Sequence, residues 1–166
     1  LLYKRNFFIP RIEKAWWRGK EIVIGYAAMH YPIQFKNIWD NSGSSVDRVD
    51  LTNKGFTVSD SGGAITIISV EIPSGQDALV KITLDREPTD TPTILYAGET
   101  TYAGRGNVCD SDPTKSPLNY EEIDYVGTAD VAAGVVKADY NIVGLVDNPY
   151  DMENFAIPQK VAATIF

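Results

Sequence analysis

Residues 64–84 read AITIISVEIPSGQDALVKITL, and their reading decides the fold. Residues 64–72 are dense in β-branched side chains, which suit a pleated, half-buried surface and predict a strand. Residues 73–77, Pro-Ser-Gly-Gln-Asp, are turn formers. In residues 78–84, Leu79, Lys81 and Thr83 share one face, while Val80, Ile82 and Leu84 share the other. That period of two predicts a strand whose second set faces a core.

The pattern continues on both sides. Residues 21–29 are rich in β-formers. Residues 32–39 alternate, with Ile33 and Phe35 on one face. Short strands are predicted at 56–58, 93–97, 131–136, 139–146 and 155–166. Between them lie turn clusters such as Asp40 to Ser45 and Ser59 to Gly63. Strand–helix alternation is missing, which argues against a Rossmann or barrel architecture. The expectation is an all-β protein, an antiparallel β-sandwich of jelly-roll-like or Ig-like kind, over residues 20–166. Residues 1–18 are the best helical stretch, but Pro10 interrupts it. Residues 1–19 are expected to be a basic, aromatic, extended N-terminal arm or linker. The chain opens at Leu1 inside a pattern, which suggests the C-terminal piece of a larger protein.

Composition narrows the function classes. The 166 residues carry a formal charge of −7. Residues 1–20 reverse that sign, with Lys4, Arg5, Arg11, Lys14, Arg18 and Lys20 against Glu13 alone. A basic segment with interleaved aromatics suits nucleic acid. The acidic remainder repels a polyanion, so no nucleic acid is expected, and anionic membranes and strongly anionic glycans are disfavoured. No apolar run reaches a membrane span. One cysteine, Cys109, precludes an internal disulfide. One histidine, His30, precludes multi-histidine metal sites.

Residues 98–119 form a long polar excursion, and such loops are functional or braced. Within it, Gly104-Arg105-Gly106-Asn107 precedes Asp110-Ser111-Asp112. As a site, Arg105 and Asn107 would donate to sugar hydroxyls, and Asp110 and Asp112 would ligate a cation such as Ca2+. As structure, the glycines supply unusual backbone angles and the aspartates cap turns. The structural reading is preferred, because Asp and Asn are the ordinary turn residues. Aromatics number 18, and exposed ones stack on sugar rings. Trp39, Tyr102, Tyr120 and Tyr125 lie in or beside predicted loops and are the candidates, with Trp39 equally suited to packing. Trp16 and Trp17 are read as buried against the sandwich or a subunit neighbour. No Gly-x-Ser-x-Gly stands in the chain, and its many acids show no diagnostic spacing. No catalytic residues and no cofactor are assigned.

One stretch carries a family resemblance. Residues 78–112, ALVKITLDREPTDTPTILYAGETTYAGRGNVCDSD, resemble β-sandwich modules near the C-termini of phage tail proteins. Similar modules follow SGNH-type, sialate-esterase-like hydrolase domains. Gly55 to Val58, Gly62, Gly63, Ile67, Val70 and the ending Asn154 to Gln159 fit as well. The stretch between Pro117 and Asn154 is longer than in that pattern, and the basic arm has no counterpart. The resemblance implies a non-catalytic module of a tailspike, tail fibre or secreted glycan esterase. Its place would be the virion tail, or outside the cell. It would bind bacterial surface polysaccharide, stabilise a homo-oligomer such as a trimer, or both. Purely structural assembly is the alternative, and an autonomous polysaccharide hydrolase or esterase the second.

Overall fold

The computed structural model describes residues 9–40, 47–119, 134, 147 and 149–166. Its strands, in chain order, begin with β1 (Arg11–Arg18), β2 (Glu21–Ala27), β3 (Gln34–Phe35), β4 (Ile38–Asp40) and β5 (Asp47–Val49). Then come β6 (Phe56–Asp60), β7 (Gly63–Ile65), β8 (Ile67–Glu71), β9 (Leu79–Leu84) and β10 (Thr93–Tyr96). A one-turn helix, α1 (Glu99–Tyr102), precedes β11 (Val108–Cys109) and β12 (Lys115–Asn119). The last are β13 (Pro149–Asp151), β14 (Gln159–Ala162) and β15 (Thr164–Ile165).

Chain contacts divide the protein into two compact units. The first holds residues 1–36, 50–112 and 154–166; the second holds 37–49 and 113–153. The second contains the antiparallel pairs β4–β5 and β12–β13. The expected strands at 131–136 and 139–146 lie outside the described residues.

The first unit is the β-sandwich. One sheet runs β15-β1-β2-β9-β8 and the other β14-β10-β6-β7. Alternation sorts their side chains as the sequence predicts. Ile22, Ile24 and Tyr26 of β2 and Val80, Ile82 and Leu84 of β9 point inward. They meet Phe56 and Val58 of β6 and Ile94 and Tyr96 of β10 in one core. Across the layers, the Tyr26 and Tyr96 rings meet edge to face, with centroids 6.5 Å apart. Among the described residues, the Tyr26 hydroxyl is the one buried side-chain polar atom without a hydrogen-bond partner.

Three expectations are corrected. The arm expected over 1–19 is, from Arg11 on, strand β1, so the sandwich begins before Lys20. The strand was hidden because a bulge between Ile12 and Lys14 breaks its alternation. Ile12, Ala15 and Trp17 all point inward despite unequal spacing. The Gln159 side-chain amide occupies the backbone there, accepting from Ile12 N–H and donating to its carbonyl. β1 returns as β2 through Gly19, which takes a left-handed φ of 57°. The strand expected over 64–72 is two strands in different sheets, joined at a corner where the Thr66 carbonyl accepts the Asp85 N–H. A second corner, at buried Ala163, splits the last expected strand into β14 and β15.

A buckle closes one end of the four-stranded sheet. Both Asp60 carboxylate oxygens accept from Arg86, at 2.6 and 2.9 Å, and the Thr89 and Gly62 N–H groups add 2.8 and 2.9 Å bonds. The Arg86 hydrogen bonds, above all, hold this carboxyl below its ordinary value of 3.8. A depressed carboxyl stabilises the fold above its unfolded pKa and loses that contribution as pH falls through the folded value. Asp60→Asn is therefore expected to be less stable than the parent at pH 7, with the difference shrinking below pH 3.8. Urea unfolding between pH 7 and 2 checks this; a difference constant across the range would contradict it. Tyr26→Phe removes an unpartnered buried hydroxyl, so its unfolding midpoint should equal or exceed the parent's. A loss above about 1 kcal/mol, the net worth of an ordinary hydrogen bond, would reveal a partner for that hydroxyl.

Candidate functional site

The loop from Ala97 to Asp112 is where the sequence places its most concentrated polar group. It leaves β10 with the Ala97 N–H on the Gly55 carbonyl, 2.8 Å away. Helix α1 then turns Tyr102 inward. Its hydroxyl donates to the Thr52 carbonyl at 2.8 Å and lies 3.2 Å from that of Phe56. Tyr102 is buried, so its ring offers no face for a sugar to stack on.

Gly106 is fixed by its neighbours. A Cβ there would sit 2.3 Å from the Tyr96 ring, so only glycine lets the loop cross it. The Tyr96 hydroxyl accepts the Val108 N–H at 2.9 Å, and burial pushes the phenol well above its ordinary pKa.

Asn107 is fully buried and hydrogen-bonded on all sides. Its side-chain oxygen accepts from Leu51 N–H and its amide donates to the Lys36 carbonyl, both at 2.9 Å. Its own N–H reaches the Lys54 carbonyl at 3.1 Å, and its carbonyl takes the Lys36 N–H at 2.8 Å. Asn107 thus pins its loop to two segments, at residue 36 and at residues 51–54, and presents nothing to solvent. Its burial fits the structural reading preferred for the motif and leaves the candidate sugar-ligand role without an exposed group. Arg105 is half-buried, and its Nε donates to the Tyr102 carbonyl.

Asp110 is likewise fully buried. Its carboxylate accepts the Asn154 N–H at 2.9 Å and the Asn154 side-chain amide at 3.0 Å. Its backbone N–H bonds the Asn154 carbonyl, and its carbonyl takes the Gln34 amide. Asp112 lies 3.5 Å from His30. Among the described residues no three His, Cys, Asp or Glu side chains gather as a metal site would need. The oxygens weighed as Ca2+ ligands on Asp110 are committed to Asn154. The side chain of Trp39 and all of Tyr120 and Tyr125 lie outside what is described.

A different surface carries the exposed aromatic chemistry. On the outer face of the five-stranded sheet, Thr164, Trp16, Val23, Lys81 and Glu71 form one cross-strand row. Trp17 is buried, but Trp16 is only half-buried, with its ring over Gly25 at 3.3 Å from where a Cβ would lie. Trp16, Val23 and Phe166 line an open hollow of about 390 Å³. Beside it, Lys81 lies 2.7 Å from Glu71 and 3.7 Å from Glu21, and the Glu71 hydrogen bond chiefly raises its pKa. Sequence reasoning treated the two tryptophans alike, and the β1 bulge is what decides which one faces out.

Comparison with protein-family models, with curated proteins and with solved structures finds no match to this chain. The residues must therefore carry the functional argument. Asn107→Ala strands the Leu51 N–H and the Lys36 carbonyl, each costing about 1–3 kcal/mol. The expected result is a large drop in the urea midpoint. A variant as stable as the parent that had lost glycan binding would restore Asn107 as a ligand.

Proposed function

We propose that the chain is a non-catalytic β-sandwich module that binds bacterial surface carbohydrate on behalf of a larger glycan-active protein, such as a phage tailspike or fibre or a secreted esterase. One observation carries the reading: an open, aromatic-walled hollow on a sheet face, bordered by fixed charges. Sugar rings present C–H patches to aromatic faces and hydroxyls to charged groups, so this surface suits them. Its volume lies in the range of small-ligand sites, roughly 300–1,000 Å³. The polar loop that looked most like a site is occupied with holding the fold, which argues against chemistry there. The resemblance of residues 78–112 to tail-protein modules points the same way. Repetition of the module in an oligomer would raise effective concentration, so weak single sites would serve.

A second reading, pure assembly, draws on Ile165 and Phe166, which are 69% and 60% exposed at the end of edge strand β15. A stable interface buries roughly 800 Å² per partner. The three side chains of the hollow fall short of that, which favours the ligand reading.

Titration of the protein with capsular and O-antigen oligosaccharides, by calorimetry and Trp fluorescence, tests the proposal. Saturable heat with a fluorescence change is the expected outcome. No response across the panel, together with concentration-dependent sedimentation abolished by Ile165→Asp, would replace it with assembly.

A further inference from the structure

Resting on that reading, we propose that the outer face of the five-stranded sheet is a site for an acidic sugar, a pyranose bearing a carboxylate, with Trp16 as its platform and Lys14 and Arg18 as its anion contacts. Side chains two apart on a strand share a face, about 7 Å from one another. Lys14 pairs across β2 with Gly25, Trp16 with Val23 and Arg18 with Glu21. All three β1 side chains therefore stand on the outer surface, with the aromatic ring between two cations.

The charges on this face are unequally committed. Glu21, opposite Arg18, has its carboxylate 3.7 Å from Lys81, and Glu71 holds Lys81 from the other side. Lys14 and Arg18 are exposed, and among the described residues neither has a carboxylate within ion-pair distance. Exposed Glu13 adjoins Lys14 in the β1 bulge, so the face offers two cations outside any ion pair rather than a net positive surface, on a chain whose net charge is −7. Two such cations counter the expectation, drawn from net charge, that anionic glycans are disfavoured. Arg presents a planar fork matched to a carboxylate, and Lys a point charge. Phe166 and Val23 wall the hollow beside the ring and leave room for one sugar face on Trp16.

Single-stranded nucleic acid also stacks on tryptophan beside cations. It needs a basic track along successive phosphates, however, and this face offers one platform on an acidic body.

The test uses the whole chain and four probes. Tetragalacturonate, an α2,8-linked sialic acid trimer and a hyaluronan tetramer are the acidic probes, and fully methyl-esterified tetragalacturonate is the neutral one. Each is titrated by calorimetry and Trp fluorescence at low salt. At least one acidic probe should bind saturably. Lys14→Glu and Arg18→Glu should each weaken it at least fivefold, Trp16→Leu should weaken it tenfold or more, and Lys160→Glu on the other sheet should not change it. Both charge reversals lie on exposed positions, so they remain informative if Trp16→Leu fails to fold. If tetragalacturonate is the ligand, esterification should weaken binding at least tenfold. Equal binding of the ester, or binding indifferent to all three β1 variants, would overturn this site while leaving a carbohydrate module standing. Silence from all acidic probes beside a responding capsular or O-antigen oligosaccharide would do the same. Silence everywhere would remove the carbohydrate reading as well. An oligothymidylate titrated beside these four should bind more weakly than the acidic sugar, and tighter binding would assign the face to nucleic acid instead.

Discussion

The crossing of the 97–112 loop over Tyr96 is the constraint on which the rest of the sandwich depends. Tyr96 is fully buried and touches both layers, edge to face with Tyr26 and tilted against Phe56 at 4.8 Å. Its hydroxyl must then find a partner inside the protein, since an unpaired buried polar group is costly. The Val108 N–H supplies it, but only if the chain passes directly over the ring. Gly106 makes that passage sterically open, and Gly55 does the same from below, where a Cβ would lie 2.8 Å from Gly106 Cα. Asn107 and Asp110 then fasten the strap to residues 36, 51, 54 and 154. The polar motif thus does for this end of the sandwich what a disulfide does in smaller secreted folds. A chain with one cysteine, buried and in no disulfide, uses hydrogen bonds instead.

The two corner strands complete the picture. At Thr66 and at Ala163 the chain passes from one sheet to the other without a loop. Each sheet therefore owns residues that the other needs. The edges of the five-stranded sheet are blunted in different ways, β15 by its two-residue length and β8 by a bulge between Ile67 and Ser69. Short and bulged edges discourage strand addition by another chain. Strand addition being disfavoured at both edges, the open surface of this sheet is its outer face, where Trp16 stands.

Much of this was legible in the sequence, and the rest was hidden for definite reasons. Strands β2, β6, β9 and β10 could be read because their inward residues recur at period two. Strand β1 could not, because its bulge spaces the inward Ile12, Ala15 and Trp17 unevenly behind Pro10. The corner inside 64–72 was invisible, because a continuous run of β-formers looks the same whether it stays in one sheet or changes to another. The glycines of the GRGN motif signalled unusual backbone, and that was correct in kind. The reach of Asn107 to residues 36 and 51 was not legible, since no local pattern encodes a partner so distant. The outward tryptophan was equally hidden, because choosing between Trp16 and Trp17 requires knowing the bulge first.

The parallel pairing of β1 with β15 has a mechanical meaning. Thr164 and Ile165 run alongside Trp16 and Trp17 in the same direction. The Arg11 end of β1 and the Phe166 end of β15 therefore lie toward opposite ends of their ladder. Tension applied between those two points slides the strands along each other and strains their hydrogen bonds together, whereas an antiparallel neighbour would peel open one bond at a time. A chain pulled through these two strands is loaded in shear along their ladder.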